Sequence, residues 1–448
     1  MTCAPRCQPA TVSARAARAL AVMLAAGCAT TAPQPGVTAD DCVVTDLPAA
    51  PSLRIAVLER VDARNAPVPA NSAEQLVFTQ LYDTLVRIGC DGVPVAGLAD
   101  SWSASPDRTA WHFRLREGVS FTDGTPLDAR TLAEALTRAH HAPPFAAVSA
   151  AGERDLHLVL TDPQDADFFA QPALAVTLTA AGTGWPRGTG AYRPEADAGG
   201  LRLVLRRPMD GAPDTLHLVP TSANDPRGAL DAGADLLLTS SAAAIEYARL
   251  LESYTVTPLP WSRTYALVAR ARPNAAIPAP STAERAALAR DAASVGTRAA
   301  TQSSPGWCDT SVLAASRSSG ASTVIAYSRG DDIARGIAER LVALSWPPVR
   351  TPEWLQARRP DGSADVDGPL TVRALDAAAL LEEMRAGRAM FVVPLHQCVE
   401  ADPVYAAIAQ SGLHVTPLVD AREHLLHRDS VGSITIDGSG AVRFGARR

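Results

Sequence analysis

The sequence predicts an α/β protein of two or three domains, and three observations carry that expectation. The chain has 448 residues, 47% hydrophobic and 20% charged, which is enough for more than one separate core and typical of a folded chain. Short apolar runs with a period of two recur along it, separated by segments with helical spacing. The two kinds meet through turn and cap residues, most legibly between Ala110 and Leu136.

Taken in order, the first strand is predicted over 53–58 and is followed by a loop carrying Arg60, Asp62, Arg64 and Asn65. Ser72 is placed to cap a helix whose apolar face is Val77, Leu81, Leu85 and Ile88. Over 110–115, Trp111, Phe113 and Leu115 alternate with His112, Arg114 and Arg116, the pattern of a strand that buries one face. Asp123 and Gly124 are turn chemistry, with Pro126 stiffening the exit, and Asp128 can cap the helix that Leu132 and Leu136 begin. Strands follow over 156–160, 201–205, 216–219 and 235–238, with a short helical step around 229–233. The remaining part predicts a helix over 281–293, a strand over 323–327, and a helix capped by Asp331 or Asp332 with Ile333, Ile337, Leu341 and Leu344 on one face. Leu380, Leu381 and Met384 mark another helix, 390–393 a strand, about 403 the start of a helix, and 434–444 a hairpin turning at Asp437 and Gly438.

Charge narrows the function. Net charge is −6, and all 41 basic side chains are arginine; no basic run interleaved with aromatics stands out, so nucleic-acid binding finds no support. Residues 1–27 read as a targeting segment, with Arg6, Arg15 and Arg18 ahead of an apolar run over 19–26 too short to stay as a membrane-spanning helix. The stretch Leu24, Ala25, Ala26, Gly27, Cys28 resembles a lipoprotein signal, which implies cleavage before Cys28 and a lipid on that residue. Residues 28–51, rich in Thr, Ala and Pro, then suit a flexible tether. Four cysteines are left for the mature chain, Cys42, Cys90, Cys308 and Cys398, an even number that favours disulfides in an exported protein. Pairing Cys42 with Cys90 and Cys308 with Cys398 keeps each bond inside one expected domain, each worth about 4 kcal/mol by loop closure. A four-cysteine zinc site is weak, because no Cys-x-x-Cys spacing occurs.

The residues 81–132 are the most specific. Leu81-Tyr82-Asp83-Thr84-Leu85-Val86, Leu98-Ala99-Asp100-Ser101-Trp102, 111–116 and Phe121-Thr122-Asp123-Gly124-Thr125-Pro126-Leu127 fall in order. They resemble four linked blocks of the extracellular solute-binding proteins of family 5, the peptide- and nickel-type binding lipoproteins of ABC importers. Gly188-Thr189-Gly190-Ala191-Tyr192 resembles a further motif of that family, with Ala191 in place of its proline. The resemblance implies a two-lobed periplasmic-binding-protein-like α/β fold, with mixed sheets flanked by helices, an extra subdomain in lobe one and a ligand cleft between lobes. It implies lobe I over 52–262 with the subdomain at about 60–183, lobe II over 263–415, and a C-terminal return to lobe I over 416–448. The second lobe looks short, because only Pro394, Leu395, His396, Gln397 and Cys398 stand where the family carries an aromatic, acidic stretch.

Function under this resemblance is capture of a small solute, a peptide-like one favoured, by a lipid-anchored monomer in the periplasm or at the cell surface, with delivery to an ABC permease and its ATPase. No cofactor is implied. Ligand contacts are expected from Arg60, Asp62, Arg64 and Asn65, from Trp261, Arg263 and Tyr265 at the crossing between lobes, and from Trp307 and His396 in lobe II. Arginines facing the cleft would favour a carboxylate-bearing ligand through bidentate pairing. Two alternatives stand beside it: a binding-fold lipoprotein acting as sensor or docking module, and a serine hydrolase using Ser328, with Asp376 and His396 completing a triad. His424 and His427, three apart on an expected helix, and the neighbours His140 and His141 lack a third ligand and are read as polar residues, not a metal site.

Overall fold

The computed structural model describes residues 42–445 except 139–144, 179–183, 198–199, 223–224, 271–279, 294, 302–323, 344–370, 387–388, 396–402 and 412. Leu53, Ile55 and Val57 are buried along the strand Ser52–Val57, which pairs in parallel with Thr215–Pro220 on one side and Leu236–Thr239 on the other. This central trio lies in a seven-stranded sheet that continues through His424–His427 and Thr255–Pro258 at one edge and Gly200–Leu205 and Tyr192–Asp197 at the other. Together with the helix Ser72–Leu81 it forms the core of lobe I.

That helix differs from expectation at both ends. Its cap is Asn71, whose Oδ1 accepts from the Glu74 amide at 2.9 Å, while Ser72 is the first helical residue. It stops at Leu81 because the 188–190 segment lies across its last turn: Gly190 N donates to the Leu81 carbonyl at 3.0 Å, and a Cβ on Gly188 or Gly190 would collide with the Leu81 or Gln80 carbonyl. Close approach of two backbones thus explains the glycines of that motif. Leu85 and Ile88 therefore leave the expected apolar face; Leu85 enters the subdomain core, and Val86–Ile88 pairs with Pro94–Ala96.

The signature region folds as expected. Ala110–Leu115 lies between Ala99–Ala104 and Asp155–Leu160 in a four-stranded antiparallel sheet closed by Phe145–Ala151. Its inward residues Trp111 and Phe113 meet Phe169 with ring centroids 5.0 and 4.7 Å away. Gly124 has φ +89° in the turn, and Asp128 accepts from the Thr131 amide at 2.7 Å at the start of the helix Ala129–Arg138.

Lobe II is built on a six-stranded sheet ordered Thr297–Ala299, Leu413–Ala421, Arg263–Arg270, Met390–Leu395, Val324–Ser328 and Thr371–Leu375. Alternation along Arg263–Arg270 sends Tyr265 and Leu267 to one core, with Ile333, Ile337 and Leu341 of the helix Asp332–Ala343, and Ala266 and Val268 to the other, with Phe391, Met384 and Ile408.

Three further expectations change. Cys42–Ala49, inside the stretch expected to be a tether, is a strand paired with Val431–Ile436. The second passage between lobes falls at Arg422 and Glu423 and not at 416, since Leu413–Ala421 belongs wholly to the lobe II sheet. His424 and His427 lie on a buried strand, because Leu425 and Leu426 sit between two sheet neighbours; an odd separation sends their side chains to opposite faces, so they share no metal-binding face. Among the described residues no group of three or more His, Cys, Asp or Glu is placed to hold a metal ion. His140 and His141 lie outside the described residues.

Candidate ligand cleft

Two passages join the lobes side by side, 259–262 leading into Arg263–Arg270 and 422–423 leading out of Leu413–Ala421. Around them the carboxyl ends of parallel strands meet from both sides. Ser52–Val57 ends there in lobe I. In lobe II, Val324–Ser328 and Met390–Leu395 run parallel, and the start of Arg263–Arg270 lies beside the end of the latter, with Thr264 opposite Leu395. Such ends are where open α/β sheets receive ligands, because no crossover covers them.

The side chains gathered here are charged. Arg263 Nη2 is 2.9 Å from Glu423 Oε1, with 14% and 13% of the two side chains exposed. Ser72, at the first turn of its helix, donates its hydroxyl to the same Glu423 oxygen at 2.8 Å. From lobe II, the fully buried Tyr265 donates its phenol to both oxygens of Asp331 at 3.0 and 3.1 Å, while Asp331 caps Asp332–Ala343 by accepting from the Ala334 amide at 2.9 Å. Glu59, just past the central strand, completes the group.

Electrostatics set these residues apart from ordinary surface pairs. Glu59 keeps an open side to solvent, yet its carboxyl is raised above the usual range, first by desolvation and then by Glu423, with Arg263 opposing. Asp331 is also raised, chiefly by burial, against the pull of the Ala334 amide and Arg263. Burial works against the Arg263 charge, but the carboxylates of Glu423 and Asp331 more than offset it, so the guanidinium is held charged. Three carboxyls and one guanidinium leave the cluster short of positive charge, and Arg263 Nε is enclosed with no acceptor.

The expected contact residues divide. Arg263 and Tyr265 are members of the cluster. Trp261 is adjacent but engaged: the guanidinium carbons of Arg298 and Arg422 lie 4.2 and 4.6 Å from its ring centroid. Asp62 and Arg64 pair with one another, and Arg64 is 85% exposed. Asn65 donates to Glu74 at 2.8 Å, and the same buried carboxylate accepts from the Asp62 and Ala70 amides, so this loop is pinned by Glu74 and holds its own shape. Arg60 is exposed, with no ion pair among the described residues. Trp307 and His396 lie outside the described residues. Glu59 and Glu423 were not singled out from the sequence, and Ser72 and Asp331 only as caps; a charged residue immediately after a predicted strand was the available signal for Glu59, whereas nothing local marks Glu423.

A cavity of about 600 Å³ lined by Asp83, Thr189, Gly190, Arg206, Arg207 and Asp210 lies at the other end of the Ser72–Leu81 helix, by the subdomain. A second, of about 360 Å³, lines Ser52, Arg54 and His217 on the lobe I sheet. Neither of these two joins the lobes.

This arrangement is a two-lobed fold in which charged groups from both lobes converge on the segments that connect them. Residues 93–264 match the model of the bacterial extracellular solute-binding proteins, family 5 Middle. A 56-residue stretch is 41% identical to the nickel-binding periplasmic protein of Escherichia coli (strain K12), covering 12% of this chain and 11% of that protein. Over nearly the full length, the fold is similar to NikA from Brucella suis, solved with Fe(III)-EDTA, at TM-score 0.61 and 15% identity, covering 88% of this chain and 98% of that one. It is similar likewise to a dipeptide-binding protein from Pseudoalteromonas sp. SM9913, solved with Met-Leu, at TM-score 0.60 and 14% identity, covering 87% and 98%.

The family matched over residues 93–264 and the similar folds are those of solute-binding proteins. Ser328 does end a strand before a turn at Gly330, with φ +89°, but Asp376 is engaged by Arg329 at 3.1 Å, and His396 lies outside the described residues. The serine-hydrolase alternative is thereby set aside.

Proposed function

We propose that this chain captures a small solute between its two lobes and delivers it to the permease of an ABC importer, with a peptide-like ligand favoured. The supporting observation is the cluster of Glu59, Ser72, Arg263, Tyr265, Asp331 and Glu423, to which both lobes contribute. A ligand touching both sides gains contacts only when the lobes close, which is how binding selects the closed state. The charge balance amends the ligand's chemistry. Arg263 is committed to Glu423, so the cleft floor asks first for a cation such as a ligand ammonium, donating to Asp331 or Glu59, while the exposed Arg60, next to Glu59 in the chain, supplies a guanidinium for a carboxylate. A zwitterion meets both demands.

Cleavage before Cys28 and lipidation there would hold a monomer at the membrane, in the periplasm or at the cell surface; among the described residues no helix is long and apolar enough to cross a membrane. Cys90 is disulfide-bonded, and backbone placement favours Cys42 as its partner: Cys42 lies opposite Ile436, and Gly438, two residues on, donates to the Ile88 carbonyl beside Cys90. Peptide mapping without reductant tests that pairing. The pairing of Cys308 with Cys398 lies outside the described residues.

Mass spectrometry of the small molecule retained by the purified mature chain, followed by calorimetry with a dipeptide library, tests the function. Expected is a zwitterionic solute whose affinity falls at least tenfold in Asp331→Asn. Tight uptake of an uncharged sugar, with no heat from any peptide, would overturn it.

A further inference from the structure

We propose that the hinge carries a second binding site, for a small oxyanion, between Arg298 and Arg422 beside Trp261. It is independent of the cleft reading. The register places Thr264, Asp420 and Arg298 side by side across three strands, so their side chains share a face, while Arg263 and Tyr265, one residue to either side of Thr264, face the other way toward the cleft cluster.

On this second face the charges do not balance. Asp420 is fully buried and already used, accepting from Thr264 Oγ1 at 2.9 Å and from Arg298 Nε at 3.0 Å. Arg298 is thereby neutralised, but Arg422 forms no ion pair among the described residues, and its Nε is enclosed with no acceptor. Its charge is disfavoured by burial and then by Arg298, which lowers its pKa. Among the described residues, the neighbours do not supply the missing anion. Glu423 turns to Arg263 and Ser72, and the imidazole of His424, 2% exposed, is held neutral with its pKa down at about 4, by burial first and Arg422 second. Its Nδ1 likewise lacks a partner.

Two guanidiniums thus share one indole, and the single carboxylate, Asp420, is engaged by Arg298, leaving among the described residues a surplus of one positive charge in a partly closed setting. A half-buried guanidinium without a counter-ion is costly. Both guanidinium carbons lie over the Trp261 ring, which offers no oxygen to accept their N–H groups, so those of Arg422 are left to donate elsewhere. Planar, forked donors of this kind fit a carboxylate or a phosphate bidentately. Because the surplus is one charge, the ligand is a compact oxyanion.

The test titrates the purified mature chain with inorganic phosphate and, separately, with succinate at constant ionic strength, following tryptophan emission and calorimetric heat. Expected is saturable binding of at least one of them. Arg422→Gln should weaken it at least tenfold without lowering the melting temperature, since it removes the unpaired charge; Arg207→Gln, an exposed arginine in lobe I, should leave it unchanged. Trp261→Phe should abolish the emission change while heat is still released. Absence of saturable binding for both anions, or equal weakening by Arg207→Gln and Arg422→Gln, would overturn the proposal.

Discussion

Replacing Arg263 with Met probes the passage between lobes most directly. The substitution keeps the length of the apolar stem and removes the charge that Glu423 meets at 2.9 Å. Glu423 would then keep only the Ser72 hydroxyl, beside a second carboxyl, Glu59, that already resists ionisation. Breaking a buried pair on one side costs about 3–5 kcal/mol; with 13% of the Glu423 side chain still exposed, about 3 kcal/mol is expected at pH 7, read by urea unfolding. Adding Glu423→Gln to Arg263→Met should recover most of that loss, giving a coupling energy of about 2 kcal/mol in the double-mutant cycle. The pH dependence has a definite sign. A carboxyl whose folded pKa is raised contributes stability that is full below its unfolded pKa and lost as pH rises through the folded value. Without Arg263, whose charge opposes the rise, the Glu59 carboxyl is raised further, so the deficit of Arg263→Met should shrink as pH falls from 7 toward 5. An Arg263→Met protein as stable as the wild type, or strictly additive losses in the cycle, would refute the argument.

Other outcomes follow from single contacts. Asp331→Asn should hold or raise the melting temperature of the ligand-free protein at pH 7, because burial already disfavours the charge, while ligand affinity falls; hydrogen bonds to charged groups contribute about 1.5–3 kcal/mol, so calorimetry should read at least a tenfold loss. Gly190→Ala should destabilise lobe I strongly in urea unfolding, since its Cβ would meet the Gln80 carbonyl with only backbone to yield. Phe113→Ala, at a fully buried site between Trp111 and Phe169, should cost about 3–5 kcal/mol, and fluorescence of Trp111 should report it. Asn71→Ala removes a 2.9 Å cap bond and should cost about 1 kcal/mol by the same unfolding assay.

Local chemistry was the legible part of this protein. Alternation at Trp111, Phe113 and Leu115, the Asp123 and Gly124 turn and the Asp128 cap act over a few neighbouring residues, so their pattern survives in one dimension and appears unchanged in the fold. The crossing at Trp261, Arg263 and Tyr265 was legible for another reason, since a family motif order carries topology that propensity does not.

Contacts between distant segments decided the rest. The first helix ends at Leu81 because residues 188–190 lie across it, a steric fact that no window around Leu85 contains. His424 and His427 read as helical until strand partners from 236–239 and 255–258 claim them. Glu423 gains its role only because the chain returns beside Arg263 after some 160 residues, and Trp261 is diverted from the cleft by Arg298 and Arg422 for the same reason. Periodicity and capping are short-range free energies written into adjacent residues, whereas a buried charge acquires its partner, its desolvation and therefore its chemistry only when the folded chain closes around it.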